Sequence, residues 1–227
     1  LEAGQICRPH HRATWIWAEW LHDMHFQFAI IREFDARKAP PVVIVPHGIH
    51  LTPKLLKALR DYVHTGGKLL IEGLAQQHND DGPLMLGELT GCRWDGTLKG
   101  HGFYLLPEMA SLKTDLLEGE PVYFECGKAH VLHCARAHCL AHLVPQFKNK
   151  QRSSDIQIVP NYPARKDQVQ WTTGVALNRV EKGQVMTCAL QLTCPDEHRT
   201  RHPWPRQLAA NLLNHLLGGQ TVRIRGH

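Results

Sequence analysis

The sequence lacks any apolar stretch near the roughly 18 to 20 residues that a membrane-spanning helix needs. Its longest such run, Pro40 to Pro46, is the size of a strand, so no membrane partner is expected. There is no CxxC pair among Cys7, Cys92, Cys126, Cys134, Cys139, Cys188 and Cys194. An odd count at these spacings argues against a zinc ribbon and against a disulfide framework, and favours a reducing, cytoplasmic location. No internal repeat or low-complexity tract is present, which excludes solenoids and compositionally disordered chains. Charge of one sign is never gathered into a tract: Lys plus Arg minus Asp plus Glu is 26 − 21 = +5, spread along the chain, so no nucleic-acid partner is implied.

What is present is ordinary globular composition, 43% hydrophobic and 21% charged residues over 227 positions. That length suits one large domain, or one domain with an appendage. The 17 histidines are the unusual feature, because together they can add many positive charges at mildly acid pH. Leu1 in place of a methionine, and the alternating stretch Gln220–Arg225 after Gly218-Gly219, lead to the expectation of a piece of a longer protein. Its domain then runs over 1–219, with 220–227 starting a following segment.

Hydrophobic spacing predicts a helix over Ala13–Met24, with Ile16, Trp17, Trp20, Leu21 and Met24 on one face and Trp15 off it. Strands are expected at Phe26–Ile31 and Pro41–Pro46. Thr52 and Pro53 then form a helix start, and Leu55, Leu56, Leu59, Tyr62 and Val63 share a face up to Gly66-Gly67. Lys68–Gly73 follows as a strand, completing a strand–helix–strand unit of the length typical of parallel pairing. A short helix is expected at Leu84–Leu89, and loops at Lys148–Asp155 and Asn161–Asp167. Further strands are expected at Val122–Glu125, Ala129–His133 and Leu140–Val144. A hairpin turning at Glu181–Gln184 and a final helix over Pro203–Leu217 complete the chain.

Three stretches together carry a resemblance: Val42–Gly48 with Leu51–Val63 and Thr65–Ile71; Leu86–Cys92; and Lys182–Val185 with Arg201–Leu213. They resemble the glutamine-amidotransferase-like, or trimerisation-type, domain of β-galactosidases, over roughly Phe26–Leu217. The resemblance implies a flavodoxin-like α/β fold, a parallel sheet flanked by helices with a C-terminal hairpin and helix. It also implies a non-catalytic accessory or oligomerisation role in a multidomain glycoside hydrolase whose catalytic pair lies in a separate barrel. Neighbouring domains, a second copy and carbohydrate are the partners that follow.

Amidotransferases of the catalytic kind place a reactive cysteine on a tight strand-to-helix turn. The corresponding turn, Glu72–Gln76, has neither cysteine nor serine, and no GxSxG or GxCxG motif occurs elsewhere. The alternative is a stand-alone glycoside hydrolase with a site at the carboxyl ends of the strands, where open α/β sheets bind ligands. Its candidates are His47, Glu72, Asp80 and Asp81, with His50, His78 and Glu125 nearby, set against the plain reading of solvated loop residues. A metal-binding reading rests on the cluster His130, His133, Cys134, His138, Cys139 and His142, of which His138 and His142 would share a face at i and i+4 on a helix. Strands at Ala129–His133 and Leu140–Val144 would disperse the ligands, so no metal or cofactor is expected. Trp15 and Trp17 are the interface candidates, since tryptophan is enriched where subunits or domains meet.

Overall fold

The computed structural model describes residues 9–49, 51–73, 87–99, 102–108, 112, 122–124, 128–145, 171–193 and 203–218. Helix α1 (Pro9–Asp23) leads to β1 (Val42–Val45), α2 (Pro53–His64) and β2 (Lys68–Glu72). Then come β3 (Cys92–Lys99), β4 (Phe103–Pro107), β5 (Val122–Phe124), β6 (Lys128–Cys134), β7 (His138–Pro145), β8 (Thr172–Val180), β9 (Gly183–Cys188) and α3 (Pro203–Leu217).

Helix α2 starts where expected, because the Thr52 hydroxyl accepts from the Leu55 N–H at 3.2 Å and Pro53 needs no partner for its nitrogen. It stops at Gly66, whose φ of +112° is one that a side chain would strain. Gly67 is needed for a different reason: a Cβ there would lie 2.3 Å from the Tyr62 ring. That ring is anchored by its hydroxyl, which donates to Pro40 O at 2.8 Å and accepts from Lys68 N.

Seven strands form one sheet in the order β1-β2-β9-β8-β7-β4-β5, and β3 and β6 form a separate two-stranded ribbon. Only β1–β2 and β2–β9 are parallel; β9–β8, β8–β7, β7–β4 and β4–β5 are antiparallel. The fold is therefore mixed α/β, and the expected flavodoxin-like parallel sheet is corrected. The strand–helix–strand unit is parallel because α2 carries the chain back across the sheet. Beyond β9, a tight hairpin with Glu181 at φ +50° reverses direction, and the pairings that follow stay antiparallel.

Two cores lie on opposite sides of β2. Leu69 and Ile71 pack with Leu56, Leu59, Tyr62 and Val63 of α2, whereas Leu70 packs with α1 and α3 through Trp17, Trp20, Leu212 and Leu216. Burial on both faces explains why β2 reads as a continuous apolar run. The expected hairpin and last helix are present as β8–β9 and α3, and residues 87–90 form a single helical turn. The segment Phe26–Ile31, expected as a strand, pairs with nothing in the sheet; Phe28, Ile30 and Ile31 stay exposed along a groove of about 640 Å³ beside α1 and β1. The loops expected at Lys148–Asp155 and Asn161–Asp167 lie outside the described residues.

Candidate functional site

Because β1 and β2 are parallel, their carboxyl ends share one edge, and His47 and Glu72 meet there. Glu72 is 0% exposed. Its Oε2 accepts from Trp17 Nε1 at 2.5 Å and from the His47 N–H at 3.3 Å. Its Oε1 accepts from both the N–H and the hydroxyl of Thr193, each at 2.6 Å. Four donors thus fill the roughly four lone-pair sites of the carboxylate. They come from α1, from the end of β1 and from the chain beyond β9, so Glu72 ties three elements together. A general acid or nucleophile must be within reach of the substrate, and this carboxylate is withheld from solvent and already fully engaged.

Gly73 follows at φ +59° and leaves room for two imidazoles. From the position a Cβ would take, His47 Nδ1 lies 3.5 Å away and His130 Nε2 3.9 Å away. Both nitrogens are buried without a hydrogen-bond partner, while His130 Nδ1 sits 3.4 Å from the Thr97 hydroxyl. Burial pushes His130 down to about 4, helped by His47 and Lys128. His47 is lowered too, chiefly by burial, against the opposing pull of Glu72. The pair is therefore neutral at pH 7 and offers ring nitrogens to whatever enters. His130 was not among the site candidates for this edge, because it arrives on β6 from the two-stranded ribbon and no spacing in the sequence links it to His47. Asp80 and Asp81, like His50, His78 and Glu125, lie outside the described residues.

The two interface candidates part company. Trp15 is 63% exposed. Trp17 is 2% exposed, packs edge-on against Trp20 at 5.6 Å and gives its N–H to Glu72. A tryptophan so buried has no surface left for a second subunit.

On β7, His138 and His142 do not form the pair expected of a helix, since four residues of strand separate them by about 13 Å. His142 instead meets two other side chains. Its Nε2 contacts Glu108 Oε1 at 2.5 Å, its Nδ1 is 3.8 Å from Cys139 Sγ, and its ring lies 5.7 Å from Trp171. Regular alternation would put Cys139 and His142 on opposite faces. Register shifts against β8, between Cys139 and Ala141 and again between Ala141 and His142, bring them together. Among the described residues, Glu108, Cys139 and His142 are the one group of three metal-capable side chains whose ligand atoms all lie within 4.8 Å of one another.

No protein-family model matches the chain, and no curated protein does. Solved structures do match. A β-galactosidase from Bacillus circulans sp. alkalophilus is 20% identical, with a TM-score of 0.59 over 95% of this chain and 28% of its own. The α-L-fucosidase isoenzyme 2 from Paenibacillus thiaminolyticus is 17% identical, with a TM-score of 0.67 over 92% of this chain and 30% of its own. A cytoplasmic protein from Salmonella typhimurium is 13% identical at a TM-score of 0.60, and here the match covers 89% of this chain and 86% of that one. At these identities the likeness establishes the fold. The chain spans only about 30% of the length of the glycoside hydrolases it matches. No helix among the described residues is long and apolar enough to cross a membrane.

Proposed function

We propose that this chain is a non-catalytic accessory domain of a carbohydrate-active enzyme, of the glutamine-amidotransferase-like kind that accompanies β-galactosidase barrels. The observation that carries the reading is coverage: nearly all of this chain matches less than a third of each hydrolase. The filled bonding of Glu72 supports it, because the carboxylate best placed for hydrolysis is committed to holding α1 and the strand ends. In this reading the domain spans 1–219, in a cytoplasmic protein.

Its work is then assembly, with a second copy or with neighbouring domains of the parent hydrolase. Trp15 leads that surface, and the exposed Phe28, Ile30 and Ile31 add apolar area. Trp17 supports it from beneath by fixing the pitch of α1. Carbohydrate remains the substrate of the parent enzyme in this reading, and the strand-end histidines serve the fold.

The test is hydrolysis of aryl glycosides and natural oligosaccharides by the purified chain, with sedimentation of wild type and Trp15→Ser alongside. No turnover, and self-association weakened at least tenfold by Trp15→Ser, is the expected result. Turnover that Glu72→Gln abolishes in protein that still folds would overturn the reading in favour of a stand-alone hydrolase built on His47, Glu72, Asp80 and Asp81.

A further inference from the structure

The start of β3 and the end of β6 hold a pair of thiols that neither reading above uses. Cys92 and Cys134 stand directly opposite each other in the antiparallel ribbon, in the register Cys92 to Cys134, Arg93 to His133 and Trp94 to Leu132. The backbone tells which kind of pair they form. The Ala135 N–H donates to Gly91 O at 2.9 Å, one residue outside the pair on each strand, and that is the pattern flanking a non-hydrogen-bonded pair. In such a pair the Cα atoms lie about 4.5 Å apart and the two side chains share one face. The N–H groups of Arg136 and Ala137 donate to the same carbonyl at 2.9 and 3.2 Å, so the turn after β6 is pinned to the start of β3. Both thiols are free, Cys92 buried and Cys134 half-buried beside the exposed Ala135 and Arg136.

We propose that Cys92 and Cys134 are a modification site, a reversible cross-strand disulfide formed by exchange with a small-molecule disulfide of the glutathione type. A Cα separation of about 4.5 Å lies inside the roughly 4.4–6.8 Å that a disulfide spans, so the bond can close without moving the strands. It falls short of the usual separation of about 5.5–6 Å, and the resulting strain makes the bond easy to reduce again. In a reducing compartment such a bond is a sensor rather than a staple. Cys139 is not the partner, because it pairs with Ala176 of β8 and its Sγ donates to Ala141 O at 3.3 Å. Cys134 is the thiol an oxidant reaches, and the Thr173 hydroxyl 3.4 Å from its Sγ can donate to the thiolate. The roles follow the acidities: hydrogen bonds from Cys139 and then Cys92 draw Cys134 down, whereas Cys92 is raised by its bond to Cys134 and by burial. The Cys134 thiolate attacks one sulfur of the oxidant, the oxidant's S–S bond breaks, and the small thiolate that leaves takes up a proton. Cys92 then gives its proton to solvent and attacks the Cys134 sulfur, expelling the second small thiolate, which is protonated in turn. Two protein thiols have lost two electrons, and the small disulfide has become two thiols.

The experiment exposes the folded, reduced chain to mixtures of glutathione disulfide and glutathione, blocks the remaining thiols by alkylation and maps the tryptic peptides by mass. Trypsin cutting after Lys68, Arg93, Lys128, Arg136 and Lys148 puts Cys92, Cys134 and Cys139 on separate peptides. The expected product lacks two hydrogens relative to the reduced chain, joins the Cys92 and Cys134 peptides, leaves Cys139 alkylated and reverts with dithiothreitol. Cys92→Ser should stop at a glutathione adduct on Cys134, and Cys139→Ser should leave the yield of the cross-link within about twofold. The proposal is overturned by the absence of a cross-link in folded wild type, by a preferred link from Cys134 to Cys139, or by a Cys92–Cys134 link no more abundant in the folded chain than in urea. The decisive comparison is made on wild type, so the test stands even where a variant fails to fold.

Discussion

Two glutamates of this chain each lie against an imidazole-bearing residue, and they do opposite things. Glu72 is fully buried, its oxygens filled by donors from three separate elements. Glu108 is half exposed and holds His142 through one oxygen, beside Cys139, whose Sγ donates to Ala141 O at 3.3 Å. Identity and proximity of the side chains do not separate the two clusters. The number of donors and access to solvent do: four donors inside the core make Glu72 architecture, whereas the half-exposed Glu108 can exchange its partner for water.

Replacing Glu72 is the severest way to test that contrast. In Glu72→Gln only one oxygen remains, so an amide N–H₂ must face either Thr193 or the Trp17 and His47 N–H groups. Donor then opposes donor inside the core. The expected loss is more than about 3 kcal/mol of unfolding free energy, read from urea denaturation. A loss below about 1 kcal/mol would show that Glu72 is not the tie its bonding suggests.

Acid is the next largest perturbation, and it acts on the same edge. An unfolded histidine takes its proton near 6.5, whereas folded His130 resists protonation until about 4. Between these values the unfolded chain binds more protons, so stability rises with pH there. The advantage of the neutral ring is complete above pH 6.5 and is lost as pH falls toward 4, to the extent of roughly 3 kcal/mol. Lowered His47 adds in the same direction. Denaturation of wild type and His130→Gln at several pH values between 4 and 7 should give a shallower slope in the variant. Equal slopes would mean that His130 titrates normally.

The contrast also marks what could be read in the sequence. The β1–α2–β2 unit, the hairpin at Glu181–Gln184 and α3 were legible because caps, glycines and apolar spacing act within a few residues. So was the convergence of His47 with Glu72, which follows from parallel pairing. Strand direction beyond β9 was not legible, because it depends on which distant strand β7 and β4 meet. Strand β3 escaped notice, since its alternation of Cys92 and Trp94 with Arg93 and Asp95 breaks at a register shift between Trp94 and Thr97. The same device brings Cys139 beside His142. Strand periodicity puts the two on opposite faces of β7, and the irregularities at 139–142 reverse that placement.

The smallest expected effect completes the comparison by repeating the first substitution at the other cluster. Glu108→Gln alters a contact to His142 whose side chains are 49% and 22% exposed, and water can replace what is lost. Such a pair contributes about 0–1 kcal/mol, so urea denaturation should shift by no more than that. One chemical change, glutamate to glutamine, is thus expected to differ several-fold in cost between Glu72 at the strand ends and Glu108 beside β7. A loss above about 2 kcal/mol in Glu108→Gln would show that exposure to water does not spare this contact, and that burial is not what separates the two glutamates.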